Sequence, residues 1–222
     1  MCSFRRHSHP RLDVKAMFAQ STMRPCYYRH GYDIAMPLRA RKLYYGLRKI
    51  PSLDRKYFAT FKGTLYLSGD GFLERTAVRD VGQTANDTGV VIVEECQDFH
   101  KENLLSWNVD LCERLQRDYD KADYDDLMNT TFALLPAGRS PATYRLGEAL
   151  SAGSIPVLIH QDFVMPFPGR IPWRDFSFSF PSEQAPAIME TLRAVPRKKL
   201  AEMQVSSALG GGGGGVLMFC MP

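Results

Sequence analysis

The sequence predicts an α/β domain organised around a parallel β-sheet, on three observations. Val90 to Val93 is a continuous β-branched run, the pattern of a strand buried on both faces. Phe132-Ala133-Leu134-Leu135-Pro136 and the stretch from Ser154 to His160 are two further apolar strands. Between those two, Pro141 to Ala152 reads as a helix, so that strand, helix and strand form one βαβ crossover, the unit of a parallel sheet.

The elements follow in chain order. Residues 1–24 read as a loose lead-in, with Arg5, Arg6, His7, His9 and Arg11 and little apolar periodicity. His7 and His9 lie near Cys2, but a metal needs several ligands in fixed geometry and a polar tail does not supply them. Tyr27 to Leu38 is aromatic and extended, with Pro37 at its end, and Pro51 to Arg55 opens a new unit. Phe58 to Gly63 reads as a strand, Glu74 to Asp80 as a helix, and Asn86 to Gly89 as a turn. Asp123 to Met128 reads as a short capped helix. For the helix over 141–152, Ser140 is the expected N-cap, Pro141 suits the first turn and Gly153 the C′ position. Phe176-Ser177-Phe178-Ser179-Phe180 alternates with period two, as a half-buried edge strand does. Glu183 to Leu192 is helical. Residues 201–222 read as a low-complexity tail around the run Gly210 to Gly215, which cannot offset the entropy of ordering it.

Composition narrows the function classes. The 222 residues are 45% hydrophobic and 23% charged, a balance that supports a packed core and argues against a disordered or coiled-coil chain. A net charge of +4 permits anionic ligands without calling for nucleic acid. No apolar run approaches the roughly 18 residues of a membrane helix. The polar start from Met1 to Arg11 is not that of a signal peptide, so the sequence as given is expected neither to span a membrane nor to carry a secretory address.

The chemistry concentrates in residues 132–159. A helix N-terminus that follows a buried strand through a small-residue loop offers free N–H groups and a favourable dipole to an anion. Arg139 lies in that loop, and Arg145 and Glu148 are spaced to share one helix face. A guanidinium there suits a diphosphate through its bidentate fork, and a carboxylate deeper in suits ribose hydroxyls. The alternative is a surface Arg145–Glu148 pair. Asp118-Tyr119-Asp120 and Asp123-Tyr124-Asp125 have the D-x-D form of a metal-diphosphate site. They lie in a polar stretch running into a helix, where a solvated, capping role is expected, and Asp98, His100 and Glu102 read as solvated surface. No metal site is expected. Cys96 and Cys112 have fifteen residues between them and are either bridged or two unrelated buried thiols. A bridge closing such a loop is worth about 3 kcal/mol in the chain-entropy model. Asn129-Thr130-Thr131 and Asn86-Asp87-Thr88 are glycosylation sequons, compatible with a secretory lumen.

Four blocks, in matching order and spacing, resemble the exostosin family of glycosyltransferases, family 47. The first is Gly31-Tyr32-Asp33-Ile34-Ala35-Met36-Pro37-Leu38. The second runs from Arg55-Lys56-Tyr57-Phe58 through Phe61-Lys62-Gly63 and Tyr66-Leu67-Ser68-Gly69-Asp70-Gly71 to Arg75. The third is Tyr124-Asp125-Asp126-Leu127-Met128 leading into Phe132 to Pro136. The fourth, the most specific, is Gly138-Arg139-Ser140-Pro141-Ala142-Thr143-Tyr144-Arg145 with Glu148-Ala149-Leu150, Ala152-Gly153 and Ile155-Pro156-Val157. The likeness covers about residues 27–195 and is closer to the animal-type members.

The resemblance implies the C-terminal half of a GT-B architecture. Residues 25–50 would be a remnant of the N-terminal subdomain and a linker, and 51–200 the Rossmann-like subdomain that binds a nucleotide sugar. It implies transfer of a sugar from a UDP-sugar to a glycan acceptor, without a metal or other cofactor. By position, Arg75, Arg139 and the helix start at Ser140 would face the diphosphate, while Arg145 and Glu148 would shape the nucleotide pocket. It also implies a Cys96–Cys112 disulfide, a place on the lumenal side of the Golgi membrane, and homo- or hetero-oligomers with exostosin-like chains; in such a lumen the sequon at Asn129 is the expected glycosylation site. Two departures stand out: Ala137 occupies a position that is often arginine in the family, and Gly147 is an unusual choice inside a helix, at about 1 kcal/mol against alanine.

Overall fold

The computed structural model describes residues 16–66, 68–85, 88–96, 106–160 and 163–209. Its main sheet has five parallel strands: β3 (Tyr57–Leu65), β4 (Val90–Cys96), β5 (Thr130–Pro136), β6 (Ile155–Ile159) and β7 (Phe178–Phe180), in spatial order β4-β3-β5-β6-β7. A two-stranded parallel ribbon, β1 (Ala19–Gln20) with β2 (Ile34–Ala35), precedes it. The helices are α1 (Phe72–Thr84), α2 (Ser106–Lys121), α3 (Tyr124–Leu127), α4 (Arg145–Ala152), α5 (Ala185–Arg193) and α6 (Arg197–Leu209).

The α/β class and parallel sheet read from the sequence are those observed. Every residue of β5 and β6 is buried, which is why both read as unbroken apolar runs. Helices cover the sheet: α1 packs with α5, α4 with α6, and α2 along β4. Phe132, Leu134, Ile155, Ile159, Phe176 and Ile188 lie at the centre of the core. The chain leaves β3 through α1 to β4 on one side and returns to β5 on the other. Parallel sheets bind ligands where the strand order reverses in this way, outside the carboxyl ends of the two central strands.

Several sequence readings need correction. The strand over 58–63 extends to 57–65 and the helix over 74–80 to 72–84. The edge strand over 176–180 is limited to β7, because Trp173–Asp175 forms a 3₁₀ turn and Phe176 closes it inside the core. The helix placed over 141–152 starts at Arg145. Ser140 does not cap it: its Oγ accepts from the N–H of Ala142 at 3.3 Å, closing a local turn, and Thr143 Oγ1 accepts from Arg145 N–H at 3.3 Å. Gly153 does end it, at φ 71°. Helix α2 was not foreseen, since its polar residues mask the 3.6-residue period. The acidic residues Asp118 and Asp120 are exposed in its last turn, and Asp123 caps α3 by accepting from Asp125 N–H at 2.9 Å.

The end boundaries also move. Residues 16–24 are not loose: β1 pairs with β2, and Met23 is buried with Ala35 and Val164. Of the extended reading over 27–38, only Ile34–Ala35 is strand. Asp33 organises this segment by accepting from Arg29 Nε at 2.9 Å, Arg29 Nη2 at 2.6 Å and Phe18 N–H at 3.0 Å. The tail placed from 201 begins later, because α6 runs on to Leu209. It docks through Leu200 and Met203, and through two polar contacts that an apolar pattern cannot reveal: Gln204 Oε1 accepts from Ser52 N–H and Oγ at 2.7 Å, and Ser207 Oγ donates to Ser154 O at 2.9 Å. The histidine pair His7 and His9, the sequon residue Asn86, the Asp98–His100–Glu102 trio and the glycine run lie outside the described residues.

Gly147 has a steric reason. A Cβ there would stand 3.0 Å from Ala40 Cβ and 3.4 Å from Ala40 N. Gly147→Val should therefore lower stability by about 1–3 kcal/mol, the usual cost of overpacking, read from the urea midpoint. A second expectation concerns acid. The Arg29 guanidinium holds the Asp33 carboxyl well below its ordinary range, so its stabilisation is complete above the unfolded value of about 4 and fades as pH falls below it. Asp33→Asn should lower the melting temperature at pH 7 and make it less sensitive to acidification between pH 4 and 2, as thermal melts across that range would show.

Candidate functional site

A cavity of about 610 Å³ opens at the carboxyl ends of β3 and β5, at the reversal of strand order. Its floor is Phe61 to Thr64 of β3 and Leu135-Pro136 of β5. Its walls are the loop after β5, the start of α4, the first turn of α1, and Tyr119, Tyr124, Arg41 and Lys42. All five sequence-predicted residues, Arg75, Arg139, Ser140, Arg145 and Glu148, line it.

Two glycines bring the loops together. Gly71, at φ 84°, precedes α1, and a Cβ on it would lie 2.7–2.8 Å from the backbone of Gly138. This close approach sets the N-terminus of α1 against the loop carrying Arg139. Arg75, in the first turn of α1, then donates from Nε to Ala137 O at 3.2 Å.

Helix α4 is buried along its whole length, with Arg145 5% and Glu148 3% exposed. That excludes the surface-pair reading. Its C-terminal carbonyls are held by the preceding segment: Arg48 Nε donates to Ser151 O at 2.9 Å, and Arg55 Nη2 to Ala152 O at 2.8 Å. Tyr44 N–H donates to Ser151 Oγ at 2.9 Å. The other end of α4 presents Arg145 and Glu148 to the cavity.

The three arginines are interleaved with aromatic rings. The Arg139 guanidinium lies 5.1 Å from the centroid of Tyr66 and that of Arg75 5.2 Å from the same ring. Arg75 is also 4.9 Å from Phe61, which Arg145 approaches at 5.9 Å, and Arg145 is 5.2 Å from Tyr124. Among the described residues, no carboxylate comes within ion-pair distance of Arg75, Arg139 or Arg145. Arg145 Nη2 reaches Thr60 Oγ1 at 3.3 Å, but its Nε and Nη1 are buried without a hydrogen-bond partner. A buried guanidinium left so is costly unless a ligand satisfies it. Burial pushes the Arg75 guanidinium below its ordinary value. Burial also pushes the Tyr124 phenol up to about 12, with Arg145 opposing, so Tyr124 remains a donor at neutral pH, and it donates to Glu148 Oε2.

The sequence reading missed the rings of Tyr66, Phe61 and Tyr124, and the cations Arg41, Lys42 and Lys62. Lys42 pairs with Asp125, which also accepts from Tyr44 Oη at 2.8 Å. Lys62 lies 4.1 Å from the Tyr119 ring and donates to Ala122 O at 2.8 Å. The alternation of basic and aromatic residues in the resembling blocks could have pointed to Phe61, Lys62, Tyr66 and Tyr124, but Arg41 and Lys42 lie outside those blocks. Cys96 and Cys112 are joined by a disulfide behind the Glu95–Tyr119 wall. Asn129 sits between α3 and β5, half-buried with its Oδ1 shielded, and Thr131 Oγ1 of the same sequon donates to Ser52 O. Among the described residues, no group of three or more His, Cys, Asp or Glu is arranged to hold a metal, and no helix is long and apolar enough to cross a membrane.

Comparison with known proteins agrees with the family reading. The family model described as the Exostosin GT47 domain matches residues 2–195. Exostosin-1 of Drosophila melanogaster is 29% identical over 197 residues, covering 84% of this chain and 25% of the relative. The Exostosin-1 homolog of Caenorhabditis elegans is 28% identical over 202 residues, covering 87% and 52%, and Exostosin-1 of Bos taurus 28% over 199 residues, covering 86% and 26%. The chain thus spans between about a quarter and a half of the length of these relatives. Among solved structures, the C-terminal domain of a glycosyl transferase group 1 family protein (LpcC) from Francisella tularensis matches with a TM-score of 0.43 at 14% identity, over 78% of this chain and 91% of that one. With the family model matching most of its length, the chain belongs to the exostosin family and carries its glycosyltransferase-family GT47 domain.

Proposed function

We propose that this chain is the donor-binding half of an exostosin-type GT-B glycosyltransferase, which takes a UDP-sugar in the cavity between β3 and β5 and transfers the sugar to a glycan acceptor. One observation carries the reading. Three guanidinium groups without carboxylate partners among the described residues converge on a single cavity at the sheet reversal, and one has two buried, unsatisfied nitrogens. A diphosphate is the ligand that such an arrangement suits, because it offers several acceptor oxygens to forked donors.

In the proposed reaction the acceptor hydroxyl oxygen bonds to the anomeric carbon and gives up its proton as the bond to the UDP oxygen breaks, releasing UDP. The negative charge that gathers on UDP is met by Arg75 and Arg139, fixed before the reaction begins, which is electrostatic stabilisation of the transition state. Arg145 and the Glu148–Tyr124 pair, further along the same wall, shape the nucleotide pocket, Arg145 offering its unpaired nitrogens to the nucleotide's acceptors and the carboxylate accepting from ribose hydroxyls. The positive side chains supply the charge that a metal would otherwise bring. The disulfide fits an oxidising lumen, in keeping with a Golgi location.

The second reading is a catalytically incomplete partner or assembly subunit that pairs with complete chains of the family to which this chain belongs. Transfer from a UDP-sugar by the isolated chain supports the enzyme reading, and co-purification with a complete homologue without turnover supports the partner reading.

Calorimetric titration with UDP tests the site itself. Arg139→Ala should weaken binding about tenfold and Arg145→Ala about 10- to 100-fold, the worth of one charge-assisted hydrogen bond or more. Equal affinity in native chain and Arg139→Ala would remove Arg139 from the site.

A further inference from the structure

We infer that Tyr66 is a positioning residue, whose ring holds the guanidinium groups of Arg75 and Arg139 at one site so that both meet one pyrophosphate; the inference rests on the diphosphate reading of the cavity. The two guanidinium carbons lie 5.2 and 5.1 Å from the centroid of this single ring, so they stand within the sum of those distances of each other. They come from separate elements, α1 and the loop after β5, and carry the same charge, so nothing in their own electrostatics draws them together. Carboxylates are the usual remedy, yet no ion pair forms to either group among the described residues. A carboxylate would also compete with an anionic ligand. The negative face of an aromatic ring attracts a cation without neutralising it or occupying its hydrogen-bond donors. Tyr66 thus keeps two charges at one ring without taking up any of their N–H donors; Arg75 gives only its Nε, to Ala137 O. It lies immediately after β3, at the cavity, and its Oη would be 3.1 Å from a Cβ placed on Gly138, so the ring also borders the loop that carries Arg139.

The test is calorimetric titration of the full chain with inorganic pyrophosphate, a probe that needs neither nucleoside nor sugar. Tyr66→Phe keeps the ring face and should hold affinity within about twofold. Pentafluorophenylalanine at position 66 has a similar shape but an inverted ring quadrupole, and should weaken binding about tenfold, as expected for losing two cation–π contacts. That loss should shrink in the Arg139→Ala background, where one of the two charges is gone; a packing role would give the same loss in both backgrounds. Equal affinity for the two rings, an undiminished loss without Arg139, or no pyrophosphate binding by the native chain overturns the inference. Native binding of pyrophosphate but not UDP overturns the nucleotide-sugar reading and leaves the role of Tyr66 standing.

Discussion

A helix buried on every side must have both ends satisfied by protein groups, and α4 is such a helix. Its eight residues are all shielded from solvent, so its last carbonyls cannot turn to water. Arg48 and Arg55 meet them from the segment that precedes the sheet, and their positive charge also suits the negative end of the helix dipole. Removal of these arginines would leave buried acceptors unpaired at a cost of about 1–3 kcal/mol each. The consequence reaches the site. With its C-terminus pinned and Gly147 pressed against Ala40, α4 has little freedom to slide, and Arg145 and Glu148 at its other end are fixed with it. The segment before β3 is therefore part of the site's scaffold.

Electrostatics within the cavity follow from the same economy of partners. Cations exceed carboxylates along its lining, and the carboxylates present are engaged: Asp125 by Lys42 and Tyr44, Glu95 by Thr64, Glu148 by Tyr124. The cations nearest the sheet ends lean on aromatic faces. Burial disfavours the charged form of Arg75, and a bound anion would reverse that effect, since a nearby opposite charge favours it. Ligand binding and relief of unfavourable burial are thus the same event at this residue, and also at Arg145, whose two orphan nitrogens would gain acceptors.

How much of this was legible depends on where each signal resides. The buried strands were plain, since a strand covered on both faces has only apolar positions, and the five residues placed in the site do line one cavity. Helix α2 was obscure because one face lies on β4 while charged side chains cover the rest, and α6 because Gln204 and Ser207 dock it by hydrogen bonds. The start of α4 was misplaced for a local reason. Ser140 and Pro141 form a good capping sequence, but the turn at Ser140 and the Thr143 contact use those residues outside the helix. The bent loop this leaves is what carries Arg139 at the cavity. Gly147 looked like a departure only because its partner, Ala40, is more than a hundred residues away in sequence.

The strand order gives these local facts a common geometry. Because β3 is flanked by β4 on one side and β5 on the other, the chain leaves its carboxyl end in one direction and that of β5 in the opposite one. A gap must open between the two departing loops, and no side chain from the sheet can fill it. Tyr66, on the exit from β3, and Arg139, on the exit from β5, project into this gap from its two sides, while Arg75 closes it from the helix that follows β3. Topology thus creates the cleft, the close approach of Gly71 and Gly138 sets its width, and the rings permit its walls to be positively charged before any ligand arrives. A site whose charge is assembled in advance does not have to reorganise as negative charge develops on a departing group, and that is the condition under which fixed cations accelerate such a reaction.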